Sequence, residues 1–185
     1  MAEVPGSNPG APILPANNEP IRVVAYDPLW PTSFEREQGL LADAIKAWVT
    51  GGIHHVGSTA VPGLDAKPVI DIMVGVEDLV VSRDCFGPLA ELEYQYAPYR
   101  STEMHWFCKP DPGRRTHHLH LVPTDSSRFQ DELAFRDDLR ASPGLAAEYA
   151  ALKHGLAERF AWDREAYTDA KTDFIARVLG RARLG

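Results

Sequence analysis

The sequence predicts an α/β protein of the α+β kind, with a small central sheet, helices around it and a helical C-terminal third. Three observations carry this. Residues 69–76 (VIDIMVGV) form a nearly continuous apolar run, as in a central strand covered on both faces. Residues 117–122 (HHLHLV) read as a strand whose alternation puts His118 and His120 on one face. From Ser126 onward the apolar residues recur at helical spacing.

Taken in order, residues 1–20 are dense in Pro, Gly, Asn and Ala. They offer too little apolar surface to offset the entropy of ordering, so a disordered tail is expected ahead of a domain over 21–185. Residues 22–26 (RVVAY) read as a short strand closed by Asp27, Pro28 and Pro31. A helix is expected over 31–48, with Phe34, Leu41, Ala44, Ile45 and Trp48 as its buried stripe and Glu35, Arg36, Glu37, Asp43 and Lys46 outside. Gly51 and Gly52 end it. Residues 53–56 are the next strand, followed by a turn rich in Gly, Ser, Thr and Pro that leads into the apolar strand 69–76. Residues 77–92 are helical in tendency, with a break predicted at Gly87 and Pro88. Residues 94–99 read as a strand, and 107–109 and 117–122 as a hairpin around the turn-rich 110–115. Helices are expected over 128–140, 143–160 and 168–183; Pro143 suits a first turn, and Asp163 and Thr168 suit N-caps.

A chain of 185 residues, 44% apolar and 24% charged, has ordinary globular composition and can bury a real core. Its net charge of −7 argues against broad nucleic-acid or anionic-membrane affinity, and no apolar window is long enough to span a bilayer. Cys85 and Cys108 show neither CxxC spacing nor a disulfide framework. With no signal-peptide pattern at the N-terminus, the cytoplasm is the expected compartment. Oligomeric state is open at this level.

The chemistry concentrates in residues 55–74 (HVGSTAVPGLDAKPVIDIMV). Small residues let a backbone approach an anion, N–H groups and hydroxyls bind it, and a carboxylate facing the turn can hold the accompanying cation. Gly57, Ser58, Thr59 and His55 are therefore candidate binding residues for a nucleotide or phosphorylated small molecule. An ordinary strand-loop-strand connection explains the same composition. Asp71 is the odd member of its apolar run, and a buried carboxylate needs a partner, a hydrogen bond or a metal. His118 and His120 could join it around a divalent ion, Mg, Mn or Zn, or His120 could act as a general base. Lys67, Arg100 and Lys109, with Arg114 and Arg115, could supply a local positive field. Arg136, Arg140, Lys153 and Lys171 in the last helices add further cations, and Tyr149 and Tyr167 add hydroxyls, but spacing does not say which face the sheet.

The stretch HVGSTAVPGLDAKPVIDI, with YDPLWPTSFEREQ, THHLHLV, LAFRDDLRASPGLAAEYAALKHGLA and YTDAKTDFI, resembles the GrpB family over residues 21–184. That resemblance implies a nucleotidyltransferase-like fold, a small mixed sheet flanked by helices. It also implies roles: Val56, Gly57 and Ser58 match the phosphate-binding part of the superfamily pattern, and Asp71 matches its first metal ligand. Met73 stands where a second carboxylate is expected, and His118 or His120 would replace a third. Three functions are compatible: nucleotidyl transfer with a modified metal site, a nucleotide or phosphometabolite binding module without catalysis, and a metal-dependent hydrolase using the His-rich strand. The family also resembles a domain appended to some bacterial dephospho-coenzyme A kinases, but no GxxxxGK[ST] phosphate loop occurs here.

Overall fold

A computed structural model describes residues 20–180. Apart from Pro20, the tail expected over 1–20 lies outside the described residues, as does the end of the last helix beyond 180. One sheet has the order β1-β2-β5-β4-β3. Its strands are β1 Ile53–Val56, β2 Ile70–Val76, β3 Gln95–Ala97, β4 His105–Asp111 and β5 Arg114–Pro123. β2 and β5 run parallel and every other neighbouring pair antiparallel, so the sheet is mixed. The apolar run is β2, flanked on both edges and covered on both faces, with Ile72, Met73 and Val74 fully buried.

One face is covered by α1 (Trp30–Ile45) and α2 (Phe86–Glu91). Leu41, Ile45 and Leu89 pack there on Ile70, Ile72, Val74, Phe107, Leu119 and Leu121. Glu37 departs from its expected outward position. It is 4% exposed and accepts a 2.7 Å hydrogen bond from Lys109 Nζ on β4, a pairing that makes its burial tolerable. Gly87 and Pro88 do not break the second helix. They sit in the first turn of α2, where proline's missing N–H has no intrahelical partner to lose, and a 3-10 segment, Val81–Cys85, precedes it. The strand expected over 22–26 is reduced to a single bridge between Val24 and Ala66, because the partner segment runs straight into Pro68, which has no N–H to extend a ladder.

The opposite face lies under α3 (Ser127–Ala141), followed by α4 (Pro143–Arg159), α5 (Arg164–Asp169) and α6 (Thr172–Val178). The helix expected over 168–183 is thus two short helices. Asp163 does cap α5, accepting from the Ala166 N–H at 2.9 Å, whereas Thr168 lies inside α5 and caps nothing. Ser126 and Ser142 cap α3 and α4. Phe129 and Leu133 of α3 pack on Val56, Met73, Trp106, Cys108 and Val122. This approach depends on Gly75, since a Cβ there would lie 2.6 Å from Gly51 Cα and 2.9 Å from the Phe129 ring. Arg136 donates to the His55 carbonyl and Arg140 to the Ala60 carbonyl, fastening α3 to β1 and the turn. Tyr149 of α4 and Phe174 of α6 pack with Leu139 over Val61 and Leu64 of that turn. No helix among the described residues is long and apolar enough to cross a membrane.

Candidate functional site

The site grows from strand register. Asp71 of β2 lies opposite His118 of the parallel β5, and Met73 lies opposite His120. Alternation points all four toward α3. The chain leaves β1 through Gly57 at φ +68° and makes one 3-10 turn, Ser58–Ala60. A Cβ at Gly57 would come within 2.6 Å of Asp71 Oδ2, so glycine is required here by both conformation and space. The turn backbone therefore lies directly against the carboxylate.

His118 Nδ1 is 2.9 Å from Asp71 Oδ1. Burial would raise the Asp71 carboxyl, but the His118 hydrogen bond and the charges of His118, His120 and Lys67 outweigh it and hold it at about 2. Burial in turn lowers His118 against the pull of Asp71. His118 Nδ1 is the ring nitrogen that faces the carboxylate, and Nε2 points away from it. That nitrogen is buried and without a hydrogen-bond partner. His120 Nδ1 is likewise unpartnered, 3.7 Å from Glu132 Oε2 of α3, which is too long for a hydrogen bond. One ligand atom each from Asp71, His118 and His120 can be chosen so that all lie within 4.8 Å of one another.

The donor set suits one divalent ion. One carboxylate and two imidazoles favour Mn or Zn over Mg. Met73, fully buried in the apolar floor, gives no second carboxylate.

Lys67 lies near Asp71 and over the Tyr167 ring, 5.4 Å from its centroid. Burial lowers its ammonium, with Asp71 opposing and Arg164 and Arg115 reinforcing that effect. Arg115 lies over Trp106, whose ring is 5.0 Å from that of His118. Arg100 is exposed and lies over Tyr99, 5.5 Å from its centroid. Three predicted residues are not brought to the cluster. Lys109 is engaged by Glu37 beneath α1. His55 points to the same side, stacked 4.7 Å from Phe34, and is held at about 4, chiefly by burial. Thr59 is buried; its hydroxyl donates to the Val69 carbonyl at 3.2 Å and accepts from His55 Nε2 at 3.0 Å, clipping the turn shut. His55 also lines a 620 Å³ cleft with Phe34, Gln38, Leu139 and Arg140, behind the turn.

Sequence reasoning did not place Glu132, and it left the direction of Lys153, Lys171, Tyr149 and Tyr167 open. Tyr149 and Lys153 stand one helical turn apart on α4, and both are buried. A lysine on the apolar stripe of a helix was the available signal.

A mixed sheet of this order, with a Gly-Ser turn closed against an aspartate on the next strand, defines a protein of the nucleotidyltransferase-like α/β class. The chain belongs to the GrpB family: the family profile described as "GrpB protein" matches residues 20–181. A solved structure described as conserved protein GrpB from Enterococcus faecalis superposes with a TM-score of 0.76 at 32% identity, covering 85% of this chain and 94% of that one. A UPF0157 protein of Pseudomonas aeruginosa is 43% identical over 172 residues, 90% of this chain and 69% of the relative. A dephospho-CoA kinase of Mycolicibacterium paratuberculosis is 30% identical over 88% of this chain but only 46% of its own length.

Proposed function

We propose that the chain is a nucleotidyltransferase working with one divalent ion, bound by Asp71, His118 and His120. The observation that carries this reading is the convergence of those three ligand atoms within 4.8 Å, beside the turn that Gly57 presses against Asp71. A divalent ion there would polarise a phosphoryl oxygen and neutralise developing charge. Ser58 and the N–H groups of the turn would grip the phosphate, and Lys67 would offset its charge. The acceptor hydroxyl gives its proton to a base and its oxygen bonds to the α-phosphorus. The bond from that phosphorus to the bridging oxygen breaks, and pyrophosphate leaves with the electron pair. The acceptor's proton passes to bulk water, since the His120 lone pair is committed to the ion; Glu132 Oε2, 3.7 Å from His120 Nδ1, is placed to orient the ring.

The test is incorporation of labelled nucleoside monophosphate into acceptors, with Mn, Zn or Mg, in the native chain and in Asp71→Asn. Metal-dependent incorporation that disappears in the variant supports transfer. A second reading, a binding module without turnover, is favoured by Met73, which removes one carboxylate from the usual set. Nucleotide binding with no product under any ion would select it, and hydrolysis by a tightly retained transition metal would select a hydrolase instead.

A further inference from the structure

The cleft behind the turn is a second concave site, one that the metal cluster does not use. Its 620 Å³ is the size of a small-molecule pocket, and it opens between α1 on one side and α3 and α4 on the other. Pro31, Phe34, Val61, Leu139 and Pro143 make its walls apolar. His55 adds a neutral ring, since burial holds it at about 4. Pro31 and Pro143 also bring the first turns of α1 and α4 to the lining, and neither first turn carries an acid. Helix starts of this kind bear partial positive charge.

Arg140 is the one fixed cation on this lining. Its Nε donates to the Ala60 carbonyl at 2.9 Å, which seats the guanidinium at the turn. Asp137 does not satisfy it: Oδ1 is 3.8 Å from Arg140 Nη1, beyond hydrogen-bond range, and the same oxygen accepts from Arg136 Nε at 2.8 Å. The Arg140 side chain is 41% exposed, so its Nη groups are open to a ligand. The lining carboxylate, Glu35, is exposed on the opposite wall, where water solvates it. A planar guanidinium fork matches a carboxylate, and one positive charge amid apolar walls suits a singly charged anion better than a phosphate.

We propose that this cleft binds a small carboxylic acid with an apolar body, its carboxylate on the Nη groups of Arg140 and its body against Phe34, Val61 and Leu139. The site is distinct from the Asp71 cluster: the turn presents Gly57 to Asp71 but Ala60 and Val61 to the cleft. It needs no metal and no nucleotide. The reading therefore goes beyond nucleotidyl transfer and does not rest on it.

The experiment is NMR titration of the full chain with three probes that share a benzyl group: phenylacetate, phenylacetamide and phenethylamine. Phenylacetate should bind at least about tenfold more tightly than the other two. Arg140→Gln should weaken it by about tenfold, to the level of the amide. Because Arg140 also holds the turn, Ala146→Leu supplies a second variant. It keeps a good helix former on α4, fills the cleft, and should abolish phenylacetate binding in a chain that circular dichroism shows to be folded. Asp71→Asn should leave phenylacetate affinity unchanged, which separates this site from the metal cluster. The proposal is overturned by absence of phenylacetate binding, by equal affinity for acid and amide, or by preference for the amine, which would make Glu35 the recognising group. Binding that survives Ala146→Leu, or that vanishes in Asp71→Asn, would overturn it as well.

Discussion

The two faces of the sheet treat their buried charged groups differently. Under α1 and α2, Glu37 and Lys109 neutralise each other, and His55 is satisfied by Thr59 while stacked on Phe34. Under α3 and the C-terminal helices, His118 Nε2 and His120 Nδ1 have no hydrogen-bond partner, Glu132 lying 3.7 Å from the latter, and among the described residues Lys67, Lys153 and Lys171 have no carboxylate within ion-pair distance. Burial of polarity is therefore not what marks the candidate site. Nor is a missing partner by itself, since Tyr94 Oη and His105 Nδ1 on the α1 and α2 side are also unpartnered; the convergence of one carboxylate and two imidazoles is what marks it.

This contrast can be broken most sharply at the paired face. Lys109→Met leaves Glu37 buried without its cation and should destabilise the fold by about 3–5 kcal/mol in chemical denaturation. A loss near zero would mean that the two faces do not differ as described. Next in size is a pH effect. His55 is lowered from 6.5 to about 4 in the folded chain, so the unfolded chain takes up a proton near pH 6.5 that the native state refuses until about pH 4. Stability present above pH 6.5 should fall across that window by about 3 kcal/mol, and His55→Gln should flatten the fall. Denaturation midpoints at several pH values read this directly.

Gly57→Ala probes the seam between turn and cluster. It forces a positive φ on alanine and a Cβ into Asp71 Oδ2, and should cost about 1–3 kcal/mol together with Mn²⁺ binding. Retained metal affinity in a folded variant would separate the turn from the cluster. The smallest effect sharpens the second face alone. Ser126→Ala removes the N-cap of α3 and should cost about 1 kcal/mol, without disturbing the Glu37–Lys109 pair. An unchanged unfolding curve would show that the cap contributes nothing to docking this helix.

Much of this was legible in the chain. The apolar run announced β2, the alternation HHLHLV placed His118 and His120 on one face, and the small residues before Asp71 announced the turn. What was hidden depends on residues far apart in sequence. Glu37 looked solvent-facing because its partner lies 72 residues away. Lys109 looked like a free cation for the same reason. Lys171 could not be assigned a direction because a break between α5 and α6, invisible to periodicity, sets where it points. Local pattern fixes elements, whereas charge neutralisation is decided by the assembled fold.

The parallel pairing of β2 with β5 has a consequence for how the protein is made. Asp71 and His118 meet across 47 residues, and a parallel pair cannot close through a tight turn, so the chain must complete an excursion through α2, β3 and β4 before they touch. Such long-range contacts form slowly and cooperatively. A nascent or partly unfolded chain would hold the separate ligands but not the site, so tight metal capture would signal that folding is complete.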